Sequence, residues 1–203
     1  MSGVNEAIVT EYFESLGFMV LRPCKYAVPG KRKNAREAID LLLVNPRATE
    51  HKVPETLVWD DSHLKGISRA VVGIMGWHSE RFYPAMFKKT PELLAFAGEP
   101  AMREAGKCLG SGGIARIFCL ADLPASTELT KDVLAVLKEQ GVDGVILFKT
   151  MLQRLIARVD SNTNYEKSDV LQTIRILKRY GLFRGNQMEL FERKRRSRAA
   201  KRD

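Results

Sequence analysis

The chain is poor in several things, and each shortage narrows its class. Cysteine occurs three times, at Cys24, Cys108 and Cys119, an odd and scattered set with no CxxC pair and no histidine nearby. That excludes a disulfide scaffold, argues against a zinc module and fits a reducing, cytoplasmic setting. No apolar run approaches the roughly 20 residues of a membrane helix, so no membrane partner is expected. The opening residues Met1 to Glu6 lack a basic region followed by an apolar stretch, so no secretory signal is read there. The glycine turn Leu109-Gly110-Ser111-Gly112-Gly113 is not followed by Gly-Lys-Ser/Thr, which sets aside a phosphate-binding P-loop. No internal repeat is present.

Acidic charge is also short. Twenty-four Asp and Glu face 33 Lys and Arg, a formal charge of +9. That excess favours a polyanionic partner, nucleic acid before membrane surface. Part of it is local: Arg193, Lys194, Arg195, Arg196 and Arg198 lie in a basic tail over residues 186–203. Such a tail is either a nucleic-acid contact or an unspecific counter-ion brush.

The 203-residue chain is long enough to bury a real core. Ala7, Ile8, Tyr12, Phe13 and Leu16 recur at helical spacing, with Asn5 as N-cap and Gly17 as stop. Glu6, Glu11 and Glu14 fall on the polar positions. Glu6 stands out, because a first-turn carboxylate can reach a neighbouring sheet. Phe18 to Arg22 reads as a strand extending toward Tyr26-Ala27-Val28. The turn after it carries Lys31, Arg32 and Lys33, either a phosphate contact or a solvated hairpin tip.

Two short apolar runs, Ile39 to Val44 and Ala70 to Met75, read as neighbouring central strands. The first contains Asp40, and a carboxylate in a strand interior must be paired, metal-bound or directed into a polar cleft. The second ends in Trp77-His78-Ser79-Glu80-Arg81, a polar and aromatic cluster. Between the runs lies a long loop with a short strand near Leu57-Val58-Trp59. Further on, the pattern predicts a helix from Glu92 to Lys107 broken near Pro100, a strand over 115–121 and a helix from Ser126 to Gln140. A strand over 145–148 and a helix over 151–159 follow. The last helix, capped by Ser168 and stopped by Gly181, has a face with Lys167, Arg175, Lys178 and Arg179. That face is either solvated or directed at DNA.

This order gives an α/β chain with a mixed central sheet flanked by helices. With an aspartate opening the second strand, it resembles the PD-(D/E)xK nuclease-like superfamily, the restriction-endonuclease fold. Glu6 to Phe18 is similar to its first helix and the approach to its first strand. Ala38-Ile39-Asp40-Leu41-Leu42-Leu43 is similar to the strand bearing its metal-binding aspartate. Arg69 to Trp77 sits where the family has its (D/E)-x-K strand. The resemblance covers roughly residues 3–150 and implies a nuclease-like core, taken as 1–160, while the residue pattern adds a C-terminal helix within 161–185 and the tail beyond. It also implies duplex DNA as partner, with a homodimer an open alternative. Mg²⁺ or Mn²⁺, held by Asp40, would be the cofactor if the site cleaves.

The family's second carboxylate and lysine positions, however, read Gly73 and Met75. Glu6, Glu37, Glu80 and His78 are the nearby groups that could compensate, and Arg81 suits a phosphate. The expectation is therefore a DNA-binding protein with a degenerate catalytic site. A rearranged metal-dependent DNA endonuclease around Asp40 and a protein–protein adaptor are the alternatives.

Overall fold

The structure is a computed structural model that describes residues 3–23, 35–78, 82–110 and 112–183. Its contacts divide the chain into two units, Met1–Leu155 and Ile156–Asp203.

The first unit is built on a five-stranded sheet in the order β1-β2-β3-β4-β5. Helix α1 (Gly3–Ser15) leads into β1 (Met19–Leu21), β2 (Leu41–Val44) and β3 (Arg69–Met75), an antiparallel meander. β4 (Ala115–Leu120) and β5 (Gly144–Leu147) then add parallel to β3. The first crossover consists of α2 (Pro84–Lys89), a 3₁₀ turn (Pro91–Ala97) and α3 (Glu99–Leu109), and the second is α4 (Thr127–Glu139). Parallel strands advancing in one direction with crossovers of one hand place the crossover helices on one face. Accordingly Phe96, Ala101, Ala105, Val133 and Leu137 all pack with Leu42, Val71, Met75 and Phe118.

The opposite face is covered by α1 and by α5 (Phe148–Arg158), which contribute Val9, Tyr12, Phe13, Phe148 and Met151. Trp59, Leu64 and Ile67 of the long loop complete that layer. The division follows the strand period of two: on β3, Ala70, Val72 and Ile74 face one layer, while Val71 and Met75 face the other.

The expected short strand near Trp59 exists as a parallel bridge between Val58 and Val145. The Trp59 amide donates to Val145 O at 2.8 Å, and the Val145 amide donates to Leu57 O at 2.6 Å. The loop thus crosses from β2 to the far edge of the sheet. It is tied there by Asp61, which accepts from the Tyr12 hydroxyl at 2.8 Å and from Arg154 Nη1 at 2.6 Å. Burial, with the Asp61 bond second, drives the Tyr12 phenol well above its ordinary pKa.

Two expected boundaries shift, and one helix is additional. The helix expected from Glu92 is a 3₁₀ turn followed by α3, because Gly98 and Pro100 interrupt the ladder. A further helix, α2, opens with Pro84 at its first turn. Phe148 begins α5 instead of ending β5, with no loop between them. The helix stops are as expected: Gly17, Gly141 and Gly181 all adopt positive φ.

At the start of β3 and β4 the arginines serve as stitches. Arg69 Nη1 donates to Leu109 O, the last residue of α3, at 2.9 Å. Arg116 Nη1 donates to Gly141 O, just after α4, at 3.4 Å, and the Arg116 amide donates to Asp143 Oδ2 at 2.8 Å. Both guanidinium groups therefore meet the negative ends of the crossover helices. Ser68 Oγ and His51 Nδ1 lie 2.9 Å apart beside them.

In the second unit, α6 (Asp169–Arg179) starts at Ser168, whose hydroxyl accepts from the Leu171 amide at 3.2 Å as expected of an N-cap. Arg175 Nε donates to Ser161 O at 3.2 Å, and Lys178 Nζ donates to Val159 O at 2.6 Å.

Candidate functional site

β3, β4 and β5 all end at the same edge of the sheet, and β2 begins there. In open α/β sheets this edge is where ligands usually bind. It is also where the first unit gathers Glu6, Asp40, Gly76, Trp77 and His78.

Asp40 sits one residue before β2. Its amide donates to Val72 O at 3.1 Å, and its Oδ2 accepts from the Ile74 amide at 2.7 Å. The carboxylate thus prolongs the β2–β3 ladder past the point where the backbone of β2 turns away. A charge-assisted bond to an amide is among the stronger single hydrogen bonds in a protein. Its negative charge also adds to burial in raising the Cys119 thiol well above its ordinary range.

Glu6 does reach the sheet, and what it meets is Arg22, just past β1, in an ion pair. Arg22 Nη2 also donates to Thr10 Oγ1 at 3.4 Å. Glu37 lies half-buried in the turn leading to Asp40.

Asn5 does not act as the N-cap of α1, since the helix already starts at Gly3. Its side chain is instead buried against the end of β3, where Nδ2 donates to Gly76 O at 3.0 Å. Asn5 Oδ1 lies 3.1 Å from His78 Nε2, and the His78 ring stands edge-on to Phe148 with centroids 4.9 Å apart. His78 therefore joins the first turns of α1 and α5, a structural linkage. Gly76 is required for this approach, because a Cβ there would lie 1.9 Å from Asn5 Nδ2.

The two degenerate motif positions are filled from the crossover side. A Cβ on Gly73 would lie 2.3 Å from Phe96 Cδ1. Met75, which faces the same side, is buried among Phe82, Phe87, Phe96 and Phe118. The Phe96 and Phe118 rings are 5.3 Å apart, and Phe87 meets Phe118 edge-on at 6.2 Å. Where the nuclease pattern needs a carboxylate and an ammonium, this chain has an aromatic core.

That donor set does not fit Mg²⁺ or Mn²⁺. Hard cations take several oxygen ligands, and among the described residues no three His, Cys, Asp or Glu side chains converge. Glu6 is drawn to Arg22 and His78 is turned to Asn5.

Among the expected nucleic-acid contacts, Arg179 is exposed, whereas Arg175 and Lys178 bond the carbonyls between α5 and α6. Lys31, Arg32, Lys33, Glu80, Arg81, Arg193, Lys194, Arg195 and Arg196 lie outside the described residues, as does the expected continuation through Tyr26 to Val28. The residues that sequence reading missed are Asn5 as a sheet ligand, Asp61 as the clamp on Tyr12 and Arg154, and Phe96 as the occupant of Gly73. Each acts across a sequence separation that carries no local pattern.

No protein-family model matches the chain, and no curated protein and no solved structure matches it. The functional reading therefore stands on these residues.

Proposed function

We propose that this chain binds duplex DNA through phosphate contacts and does not cleave it, on a sheet of restriction-endonuclease-like arrangement whose third strand carries core. The arrangement supports this in two ways. A helix, an antiparallel meander β1-β2-β3 and a parallel β4 follow in the order the resemblance implies. Asp40 immediately precedes β2, beside the β3 residues that correspond to the family's second motif.

The observation that carries the non-cleaving half is the contact between Gly73 and Phe96. No side chain fits at Gly73 without displacing an aromatic ring, so a second metal-binding carboxylate has no place there. Asp40 keeps a reason to be present, because its carboxylate holds the Ile74 amide. The net charge of +9 supplies the attraction for phosphate.

The test is a gel shift on blunt duplex DNA over a salt series, run beside a plasmid cleavage assay in Mg²⁺ and in Mn²⁺. Affinity should fall roughly a thousandfold between about 50 and 200 mM salt, if on the order of six phosphates are contacted. The plasmid should remain intact with wild type and with Asp40→Ala alike. Salt-independent binding, or no binding, defeats the DNA reading. Metal-dependent nicking that disappears in Asp40→Ala defeats the non-cleaving half alone.

A further inference from the structure

Helix α6 leaves one side in water. Asp169, Thr173, Ile176 and Tyr180 are all exposed, Ile176 at 45% and Tyr180 at 77%, whereas Ile174 on the other side is buried. At about 100° per residue, these four positions fall within a strip roughly 60° wide that runs the length of the helix. Two large apolar side chains therefore stand in one narrow seam, and Leu182, also exposed, follows just past its end. Arg175 and Lys178 are turned away from the seam, toward the Ser161 and Val159 carbonyls. The backbone beneath Tyr180 is fixed. The Gly181 amide donates to Lys178 O at 3.0 Å and the Leu182 amide to Leu177 O at 2.9 Å, with Gly181 at positive φ. A ring anchored in this way loses little freedom when a partner covers it.

The seam is complementary to itself. Its residues are spaced by four, three and four, the alternation of a coiled-coil contact, so the order is the same read from either end. A second α6 laid antiparallel on the first puts the two-fold axis between Ile174 and Arg175. Thr173 of each copy then meets Ile176 of the other, and Asp169 meets Tyr180. Charge matches in the same sense. The first turn of α6 carries Asp169, and the last turn carries Lys178 and Arg179, of which Arg179 is exposed. Antiparallel pairing sets each Arg179 beside the other copy's Asp169 and opposes the two helix dipoles. A parallel pair would instead set Asp169 against Asp169 and align the dipoles.

We infer that a second copy of this chain covers the seam, forming an antiparallel α6–α6 pair about a two-fold axis. The seam lies outside the residues that carry the nuclease resemblance, and the pairing holds whether or not the chain binds DNA. An 11-residue helix is about 16 Å long, so the pair buries less than the roughly 1,200 Å² of a standard stable interface. The association is therefore weak, with a Kd on the order of 100 µM.

Sedimentation equilibrium of the full chain, from about 10 to about 500 µM at one salt concentration, brackets that value. Wild type should pass from monomer toward dimer across the range. Ile176→Lys should weaken pairing at least roughly tenfold, because it puts two ammonium groups into the seam. Asp169→Arg and Arg179→Asp should each weaken it by roughly tenfold, because each sets like charges together at both ends of the pair. An equimolar mixture of those two variants should recover pairing, since every contact between copies is again between opposite charges. A weakening of α6 within one chain cannot imitate that recovery. Unfolding midpoints report whether each variant folds.

A chain that stays monomeric to about 500 µM overturns the inference. If Ile176→Lys then lowers the unfolding midpoint, the seam is covered from within one chain; if it does not, the seam stays in water. A dimer that survives Ile176→Lys and both charge reversals is held by another surface and overturns the inference equally. So does a mixture of Asp169→Arg with Arg179→Asp that pairs no better than either variant alone.

Discussion

The two ends of the central sheet use polar side chains in opposite ways. Where β3 and β4 begin, arginines are built into the fold: Arg69 bonds the last carbonyl of α3, Arg116 bonds the carbonyl after α4, and Asp143 takes the Arg116 amide. Where β3, β4 and β5 end, Asn5 holds the Gly76 carbonyl and faces His78, and the Trp77 ring is exposed. At the first end the guanidinium groups meet the fold's own helix termini. Basic residues are thus poor guides to a polyanion site until the fold shows which of them already hold a carbonyl.

The largest expected effect comes from forcing chemistry onto the core face of β3. Gly73→Glu would put a Cβ 2.3 Å from Phe96 and a carboxylate into an aromatic cluster. Overpacking and an unpaired buried charge together should cost about 4 kcal/mol or more, read as a lower urea midpoint. Phe96→Ala should cost about 3–5 kcal/mol alone. Because the two side chains compete for one space, the double variant should lose less than the sum of the singles. A Gly73→Glu protein with a wild-type midpoint would mean that this face is an open cleft, and the contrast between the two ends would collapse.

Much of this fold was legible in the residues, for reasons that are local. The short β-branched runs at Ile39–Val44 and Ala70–Met75 are strands with the expected neighbours, and the Ser168 cap and the glycine stops fall where turn chemistry requires them. Asp40 reads as a carboxylate that needs a partner, and one partner is a backbone amide, for which side-chain spacing has no signature. Gly73 could be read as a missing carboxylate but not as a seat for Phe96, because the ring arrives from 23 residues further along the chain. Arg175 and Lys178 read as a basic helix face because an arginine's sequence neighbours do not reveal which carbonyl it meets.

A smaller effect separates the arginines at the two ends. Arg69→Met should cost about 1–2 kcal/mol, since it removes a charged donor from the carbonyl end of α3. Arg116→Met should cost less, because its bond is longer and its buried Nε has no partner whose loss would count. Arg22→Met at the opposite edge should change stability by about 0.5 kcal/mol or less, since Arg22 is 47% exposed and its pair with Glu6 is screened by water. Chemical unfolding of the three variants under one condition ranks them. A ranking with Arg22 first would show that the edge where β3 ends, and not the stitched edge, is the one held by charge.

The smallest effect is a pH slope at the stitched end. Burial, and then the nearby Arg69 cation, lower the His51 pKa below its ordinary value, with Asp143 opposing them. The unfolded chain therefore takes up a proton at higher pH than the folded one. This contribution is fully present above about pH 6.5 and is lost as pH falls from there through the folded pKa. His51→Gln can still hydrogen-bond Ser68 but cannot titrate, so its unfolding midpoint should vary less than wild type between about pH 7.5 and pH 5.5. Arg69→Met should also flatten that slope, because it removes the second cause of the shift while leaving the first. If Arg69→Met keeps the full wild-type slope, burial alone sets the His51 pKa. Arg69 would then be a mechanical stitch to α3 without electrostatic reach across this end of the sheet.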